Sequence, residues 1–428
     1  MSFKYNLINL IKKSLLVSIT LILFAVNCYA QTAEDYLKIG KNYVNAGNYA
    51  QALIELNKAI EINPNLAEAY AGRGFIYDNQ GKLTQAIADF TKAIDINPKY
   101  TKAYVYRGGS YSLQGNFTQA ISDFAKAIEI DSKSDEAYYS RGGMYYLQGN
   151  FTQAIYDYTK AIEINPKYAE IYYGRGLAYR QQNKLPQAMS DFNKAITINP
   201  KYELAYIGRG FIYRMPEDFA KAISDFTEAI EINPNDAYAY YGRGLDYNTL
   251  KKIPQAIADY TKIIEINPKF TKIADVYYDR GFDYYSQGNL TQAISDYTNA
   301  IEINPKFANI ADVYYNRGLV YEDQKEFSQA IADYTYAIEI NPKIVAAYNN
   351  RAFSYMKLGN FIQGISDCYK ALEINPNLVA AYNIRALIYY SMKEYDKAWT
   401  DVHKIESLNG LVDPSLLNKL KEASGRDQ

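Results

Sequence analysis

Residues 135–166 read DEAYYSRGGMYYLQGNFTQAIYDYTKAIEINP. Small or bulky apolar residues recur three or four apart in two runs: Tyr138, Gly142 and Tyr145, then Ala154, Tyr158 and Ala161. That spacing puts one buried stripe on each of two helices. Gly149-Asn150 between the runs marks a turn, and Asn165-Pro166 stops the second helix, because proline disfavours the helical conformation in the residue before it. The stretch predicts an antiparallel helical hairpin.

The pattern returns about every 34 residues. Ile-Asn-Pro closes it at Pro64, Pro98, Pro166, Pro200 and Pro234, and the period continues through Pro268, Pro305, Pro342 and Pro376. With that proline set as position 32, Tyr70, Tyr104, Tyr138, Tyr172, Tyr206 and Tyr240 stand at position 4 and Gly74, Gly108, Gly142 and Gly176 at position 8. Alanine holds position 20 (Ala86, Ala120, Ala154) and position 27 (Ala93, Ala127, Ala161). A glycine inside a helix costs about 1 kcal/mol relative to alanine. Its repetition at position 8 therefore implies a neighbouring helix too close for a side chain, with position 20 as the matching small residue. Pro186 and Pro254 fall where a first helical turn tolerates proline.

An aromatic at 4, Gly or Ala at 8, Tyr at 11, Ala at 20, an aromatic at 24, Ala at 27 and Pro at 32 together resemble the tetratricopeptide repeat family, in an exported bacterial form. The resemblance covers residues 33 to 410. It implies an all-α fold, a right-handed superhelical solenoid of about eleven helix-turn-helix hairpins with a C-terminal capping helix. The hairpins begin near residues 33, 67, 101, 135, 169, 203, 237, 274, 311, 345 and 379 and fill 31–410, leaving 411–428 for the cap and tail. The last hairpin ends in Asn409-Gly410 instead of Asn-Pro, and the capping helix is expected to start near Asp413-Pro414 and to run through Leu416, Leu417 and Leu420.

Position 7 is arginine in ten hairpins, from Arg73 and Arg107 to Arg351 and Arg385, and position 23 is aspartate in the same ten, from Asp89 to Asp401. Reflected about the turn, the two positions meet, which predicts a bidentate pair inside each hairpin. The competing reading is an arginine ladder for an anionic ligand. The first hairpin has Ile39 and Glu55 instead. Three extra residues precede hairpin eight (Thr271-Lys272-Ile273) and three precede hairpin nine (Ala308-Asn309-Ile310); they are expected to lengthen the first helix of each by about one turn.

Ahead of the repeats, Lys12 and Lys13 precede an apolar run from Leu15 to Val26, and Cys28-Tyr29-Ala30 places small residues three and one before a cut after Ala30. Residues 1–30 read as a secretory signal peptide, so the chain is expected to be periplasmic or secreted, with no membrane span after cleavage. The alternative is a membrane anchor through the uncleaved segment. Removing the segment takes the formal charge from −1 to −4, since it holds Lys4, Lys12 and Lys13 and no acid. Nucleic acid is an unsuitable partner for such a chain, because phosphate backbones need a clustered basic surface. Asn116-Phe117-Thr118, Asn150-Phe151-Thr152 and Asn289-Leu290-Thr291 match the glycosylation pattern.

By resemblance, partners lie on the concave face of the first helices, at positions 2, 5, 9, 12 and 13. In hairpins four to nine, position 5 holds Tyr139, Tyr173, Ile207, Tyr241, Tyr278 and Tyr315. Position 9 holds Leu177, Phe211, Leu245, Phe282 and Leu319, and position 12 holds Tyr146, Arg180, Arg214 and Tyr285. Such an aromatic groove suits a peptide or protein, because tyrosine gives large contact area with little rotamer entropy to lose. Packing of these rings within the wall is the plainer alternative. Gly174, Gly208 and Gly242 at position 6 leave room for a ligand backbone, though recent duplication explains the run without one. The lysine and asparagine that grip a C-terminal carboxylate in chaperone adaptors are missing, as positions 5 and 9 of the first hairpins read Leu37, Lys41, Ala71, Phe75, Val105 and Gly109.

No catalytic residue, metal or cofactor is expected. The single histidine, His403, and the one thiol beyond the signal, Cys368, sit at unlike positions of adjacent hairpins. The functional expectation is a non-enzymatic scaffold for protein partners; a self-assembling homo-oligomeric solenoid and a glycan-binding envelope accessory are the alternatives.

Overall fold

The computed structural model describes residues 31–215, 217–306 and 308–425. The expected signal peptide lies outside them. Twenty-three helices and no strand occur among the described residues, and the chain divides into two compact halves, Met1–Pro200 and Lys201–Gln428.

In the first half the helices are α1 (Ala33–Asn45), α2 (Tyr49–Ile62), α3 (Ala67–Asn79), α4 (Leu83–Ile96), α5 (Thr101–Leu113), α6 (Phe117–Ile130), α7 (Asp135–Leu147), α8 (Phe151–Ile164), α9 (Ala169–Gln181) and α10 (Leu185–Ile198). The second half holds α11 (Glu203–Tyr213), α12 (Phe219–Ile232), α13 (Ala237–Thr249), α14 (Ile253–Ile266), α15 (Ile273–Ser286), α16 (Leu290–Ile303), α17 (Ile310–Asp323) and α18 (Phe327–Ile340). After these come α19 (Val345–Lys357), α20 (Phe361–Ile374), α21 (Val379–Ser391), α22 (Tyr395–Ser407) and α23 (Pro414–Ser424). Each odd helix from α1 to α21 pairs with the even helix after it, and within each half every hairpin packs on the next. Both halves are all-α solenoids.

The hairpin turn is a Schellman motif. In the first, Asn48 N–H reaches the Tyr43 carbonyl and Gly47 N–H the Val44 carbonyl. The motif needs a left-handed residue, so Gly47, Gly81, Gly115, Gly149, Gly288 and Gly359 have φ between +72° and +77°. Asn183, Lys251, Lys325 and Lys393 adopt φ between +59° and +63° at the same position. Between hairpins, the asparagine before the proline caps its own turn: Asn63 Oδ1 accepts the Asn65 N–H at 3.0 Å, and Asn97, Asn233, Asn304, Asn341 and Asn375 repeat the bond.

Core packing explains the small residues. A Cβ built on Gly74 would stand 2.8 Å from the Phe90 ring and 3.2 Å from the Ala86 carbonyl, and one on Gly176 2.7 Å from Phe192. Position 8 therefore lies against the position-24 ring of its own hairpin. Where position 24 shrinks to Cys368 or Val402, position 8 grows to Ala352 or Ala386, all four buried. Two of the position-6 glycines face the ring of the preceding hairpin: a Cβ on Gly242 would run into the Phe226 ring, and one on Gly174 would lie 2.9 Å from Tyr158. Their space is filled by the protein itself.

The expected lengthening of two helices does not occur. Helices α15 and α17 have 14 residues against 13 in α13 and α19, a gain of one residue and not a turn. Phe270, buried against Tyr238 and Tyr241, pins the connector, and Ile273 N–H closes a turn onto the Phe270 carbonyl at 2.9 Å. Thr271 and Lys272 bulge outward in that turn. The extra residues are thus spent in the connector because burying Phe270 and Ile273 sets where the helix can begin.

The cap starts as expected. Asp413 accepts from the Ser415 and Leu416 N–H groups, Pro414 opens α23, and Leu416 and Leu420 are fully buried against the last hairpin. Trp399 Nε1 donates to Ser424 Oγ at 3.0 Å.

Candidate functional site

The arginines at position 7 belong to the wall. In all ten hairpins Nε and Nη2 donate to the two oxygens of the position-23 aspartate at 2.6 to 2.9 Å. Each guanidinium also lies over the position-4 tyrosine, as Arg175 does over Tyr172 at 5.7 Å. The third arm leaves the hairpin: Nη1 of Arg107, Arg175, Arg243, Arg280, Arg317 and Arg351 donates to a threonine at position 25 of the preceding hairpin. The side chains are 11% to 21% exposed, and each is neutralised within the fold. An anion ladder would have to displace the aspartate from the Nε–Nη2 edge of each guanidinium.

The odd helices present the face on which a partner was expected. In the first half Tyr139 is 38% exposed, while Tyr146, Tyr173, Leu177 and Arg180 are half-buried. The position-5 rings lean on position-24 rings, Tyr139 on Tyr158 at 5.9 Å and Tyr173 on Phe192 at 5.8 Å, and Tyr146 meets Phe151 edge-on at 5.5 Å. In the second half Phe282 stands 46% exposed, and Phe211, Leu245, Tyr278, Tyr285, Tyr315, Leu319 and Arg214 are half-buried. Ile207 and Tyr241 are enclosed, at 6% and 7% exposure, so they present no side-chain surface to a partner. Tyr241 is covered by Phe270 from the bulged connector, which the repeat pattern did not foretell.

Neighbouring odd helices are joined by polar rungs from position 12 to position 10 of the next hairpin. Ser110 Oγ donates to Asp78 at 2.5 Å, Arg214 Nε to Asp246 at 2.5 Å, Asn248 to Asp283, and Ser354 Oγ to Glu322 at 3.2 Å. Where position 10 is apolar, as in Met144, Ala178 and Val320, no such rung forms. Asn316 donates to the Tyr278 hydroxyl at 3.1 Å, Asn350 to Tyr315 at 3.3 Å, and the Tyr285 hydroxyl donates to Asp323 at 2.8 Å. The tyrosines therefore hold fixed orientations.

Hairpins seven and eight concentrate acid. Desolvation pushes Asp279 and Asp283 up to about 7 and Asp246 up to about 6, the last two against the pull of Asn248 and Arg214. Asp275 is raised as well, chiefly by burial. These residues lie at positions 2, 6 and 10; position 2 belongs to the expected face, position 6 was read only through its glycines, and the pairing of polar residues at 12 and 10 was the available signal for the third.

The first three hairpins hold a cleft of about 320 Å³, lined by Lys41, Asn45, Glu68, Phe75, Tyr100, Lys102 and Tyr106 among others. Lys41 is paired with Glu68. Burial pushes the Tyr100 hydroxyl up to about 12. Lys41, Asn45, Glu68, Phe75 and Lys102 stand at expected face positions, but of the first three hairpins and not the central ones, while Tyr100 and Tyr106 lie outside those positions.

Cys368 is fully buried and its thiol is pushed up to about 12 by desolvation, which makes it a poor nucleophile. His403 is exposed and stacks on Trp399 at 5.7 Å. Among the described residues no group of three or more His, Cys, Asp or Glu side chains could hold a metal ion, and no helix is long and apolar enough to cross a membrane.

Stacked hairpins with small residues at fixed positions, within each half of the chain, define a helical-repeat protein. Three tetratricopeptide repeat models match the chain. One matches residues 67–100, 169–202, 237–270, 311–344 and 345–378, another 40–81, 108–149, 142–179 and 281–325, and a third 205–236. The chain belongs to the tetratricopeptide repeat family, whose repeats generally serve as non-catalytic scaffolds for protein–protein interaction.

No sequence among the curated proteins matches. Similar solved structures include a tetratricopeptide repeat protein from Parabacteroides merdae, 23% identical with a TM-score of 0.48, covering 58% of this chain and 98% of that one. MamA is 27% identical with a TM-score of 0.36, covering 38% and 94%. YrrB, described as a TPR protein with an unusual peptide-binding site, is 24% identical with a TM-score of 0.36, covering 44% and 96%.

Proposed function

We propose that the chain is a non-enzymatic scaffold that holds extended peptide segments of partner proteins on the faces of its odd helices, and that it works outside the cytoplasm. The exposed edges of Tyr139 and Phe282, on a floor of rings that fixes their neighbours, carry this reading. Side chains already held in place lose little entropy when a partner arrives, so their contact area converts more fully into affinity. The signal-like residues 1–30 support export.

The test is a photo-crosslinking amino acid placed at Tyr139 or Phe282, compared with Tyr156 and Tyr336, which are more exposed but sit on even helices. Adducts to peptide segments of other proteins should form at the first two positions only. Equal yields at all four, or none, would reject the binding face, and adducts between two copies of this chain would favour self-assembly. A protein recovered outside the cytoplasm with Gln31 at its N-terminus is the expected mark of export; recovery from the cytoplasm with residues 1–30 still attached would remove it.

A further inference from the structure

Helix α15 carries Asp275, Asp279 and Asp283 four residues apart, so the three carboxyls share one stripe. The stripe faces hairpin seven. Asp279 lies by the Tyr241 hydroxyl, Asp283 accepts from Asn248, and the Tyr260 hydroxyl sits in the field of Asp279 and Asp283. Donors run short in this cluster. Asp283 Oδ2, Asp246 Oδ2 and the Tyr260 hydroxyl have no hydrogen-bond partner, and all three residues are completely buried. A native interior satisfies nearly all such atoms; here two carboxylate oxygens lack a donor and the Tyr260 hydroxyl, able to donate or accept, stands unpartnered in the field of Asp279 and Asp283.

Few cations answer the acids. Arg214 is taken up by Asp246, Lys251 acts on Asp283, and Arg280 and Arg317 are bound to Asp296 and Asp333. The next odd helix adds the exposed Asp312, whose charge reaches Tyr278. Among the described residues the cation that acts on Asp275 and Asp279 is Lys272, supplied by the three-residue insertion. Its ammonium lies 5.3 Å from the centre of the Tyr241 ring, and its charge lowers the pKa of both Asp275 and Asp279.

We propose that this stripe receives an arginine or lysine side chain from the partner's peptide segment, with Asp275 and Asp279 as acceptors, and that Lys272 holds the place until it is displaced. The proposal rests on the odd-helix face being the binding side and names the chemistry of the segment that binds there. A guanidinium brings five donors in a planar fork, which suits the two half-buried carboxylates of Asp275 and Asp279, one turn apart on α15.

The experiment measures fluorescence anisotropy of a labelled Gly-Ser-Arg repeat peptide and of its Gly-Ser-Gln counterpart against the full chain at low salt. The arginine peptide should bind roughly tenfold more tightly than the glutamine one. Asp275→Asn with Asp279→Asn should erase that preference while helicity and melting are retained, because asparagine removes a poorly solvated charge at the same size. Lys272→Ala should tighten the arginine peptide by roughly threefold, since it removes the occupant. Glu302→Gln with Glu339→Gln, exposed acids on α16 and α18, serve as the control for diffuse attraction and should change nothing. Equal binding of the two peptides, a preference that survives the double asparagine variant, or an equal loss in the glutamine control each overturns the proposal. Crosslinks at Tyr139 and Phe282 without an arginine preference would overturn this inference alone; their absence would remove the reading beneath it.

Discussion

Arg175 and Asp191 are joined by two parallel hydrogen bonds of 2.8 Å each, and the remaining arm of Arg175 reaches Thr159 in the preceding hairpin at 3.1 Å. One side chain thus ties α9 to α10 and to α8. Arg175→Ala should cost about 3 kcal/mol in chemical denaturation, because it strands a buried carboxylate. Arg175→Lys should recover less than half of that, since an ammonium cannot make the fork. A loss below about 0.5 kcal/mol for the alanine variant would show that the pair is not a fold element.

Glycine should be essential at one class of helical position and dispensable at another. Gly242→Ala drives a Cβ into the Phe226 ring and should destabilise by about 2 kcal/mol. Gly109→Ala, inside α5 with nothing within 4 Å of the new methyl, should stabilise by about 1 kcal/mol. Thermal melts of the two variants decide the matter, and equal shifts would contradict the packing described.

Lys251 occupies the left-handed turn position with φ +59°, where other hairpins carry glycine. Lys251→Gly should raise stability by about 1 kcal/mol, because a side chain is strained in that conformation. The same change at Asn183 should gain less, as asparagine tolerates the left-handed region. If the lysine variant proves less stable, strain at this turn is not the governing term.

Asp279 and Asp283 are pushed up to about 7 and Asp246 up to about 6, against an ordinary value of 3.8. From roughly pH 4 to 7 the folded chain therefore holds protons that an unfolded chain has released, so this contribution is complete at the acid end and is lost as pH rises through 7. Arg214, Lys251 and Lys272 oppose the shifts, while Asp275 reinforces that of Asp279. Asp259, Asp296 and Asp333 are raised as well. The second half should melt roughly 5 °C higher at pH 5.5 than at pH 8, and Asp283→Asn should narrow the gap. A melting point that climbs steadily toward pH 8 would reverse the assignment.

Much of the fold could be read from residue spacing. The hairpins, the capping helix at Asp413-Pro414 and the pairing of position 7 with position 23 are local in sequence, and each follows from a period of three to four residues or from a sixteen-residue reflection about one turn. The insertion before hairpin eight was legible as an insertion but not in its consequence. Whether Thr271 to Ile273 extends a helix or bulges depends on where Phe270 finds a pocket among Tyr238 and Tyr241. The candidate face was legible in part for the same reason. Repeat position says which residues stand on the first helices, yet the burial of Ile207 and Tyr241 depends on what the neighbouring segments lay across them.

From spacing alone the chain declares a series of helical hairpins, the small residues that let them approach, and the internal ion pair of each, because these arise between residues at most half a repeat apart. Contacts between successive hairpins belong to the tertiary structure: the reach of Arg175 to Thr159, the rungs from position 12 to position 10, and the donor-poor acids beside Tyr260. A period tells which side of a helix is buried, but burial against a particular neighbour, and the field that neighbour imposes, exist only once the hairpins are stacked.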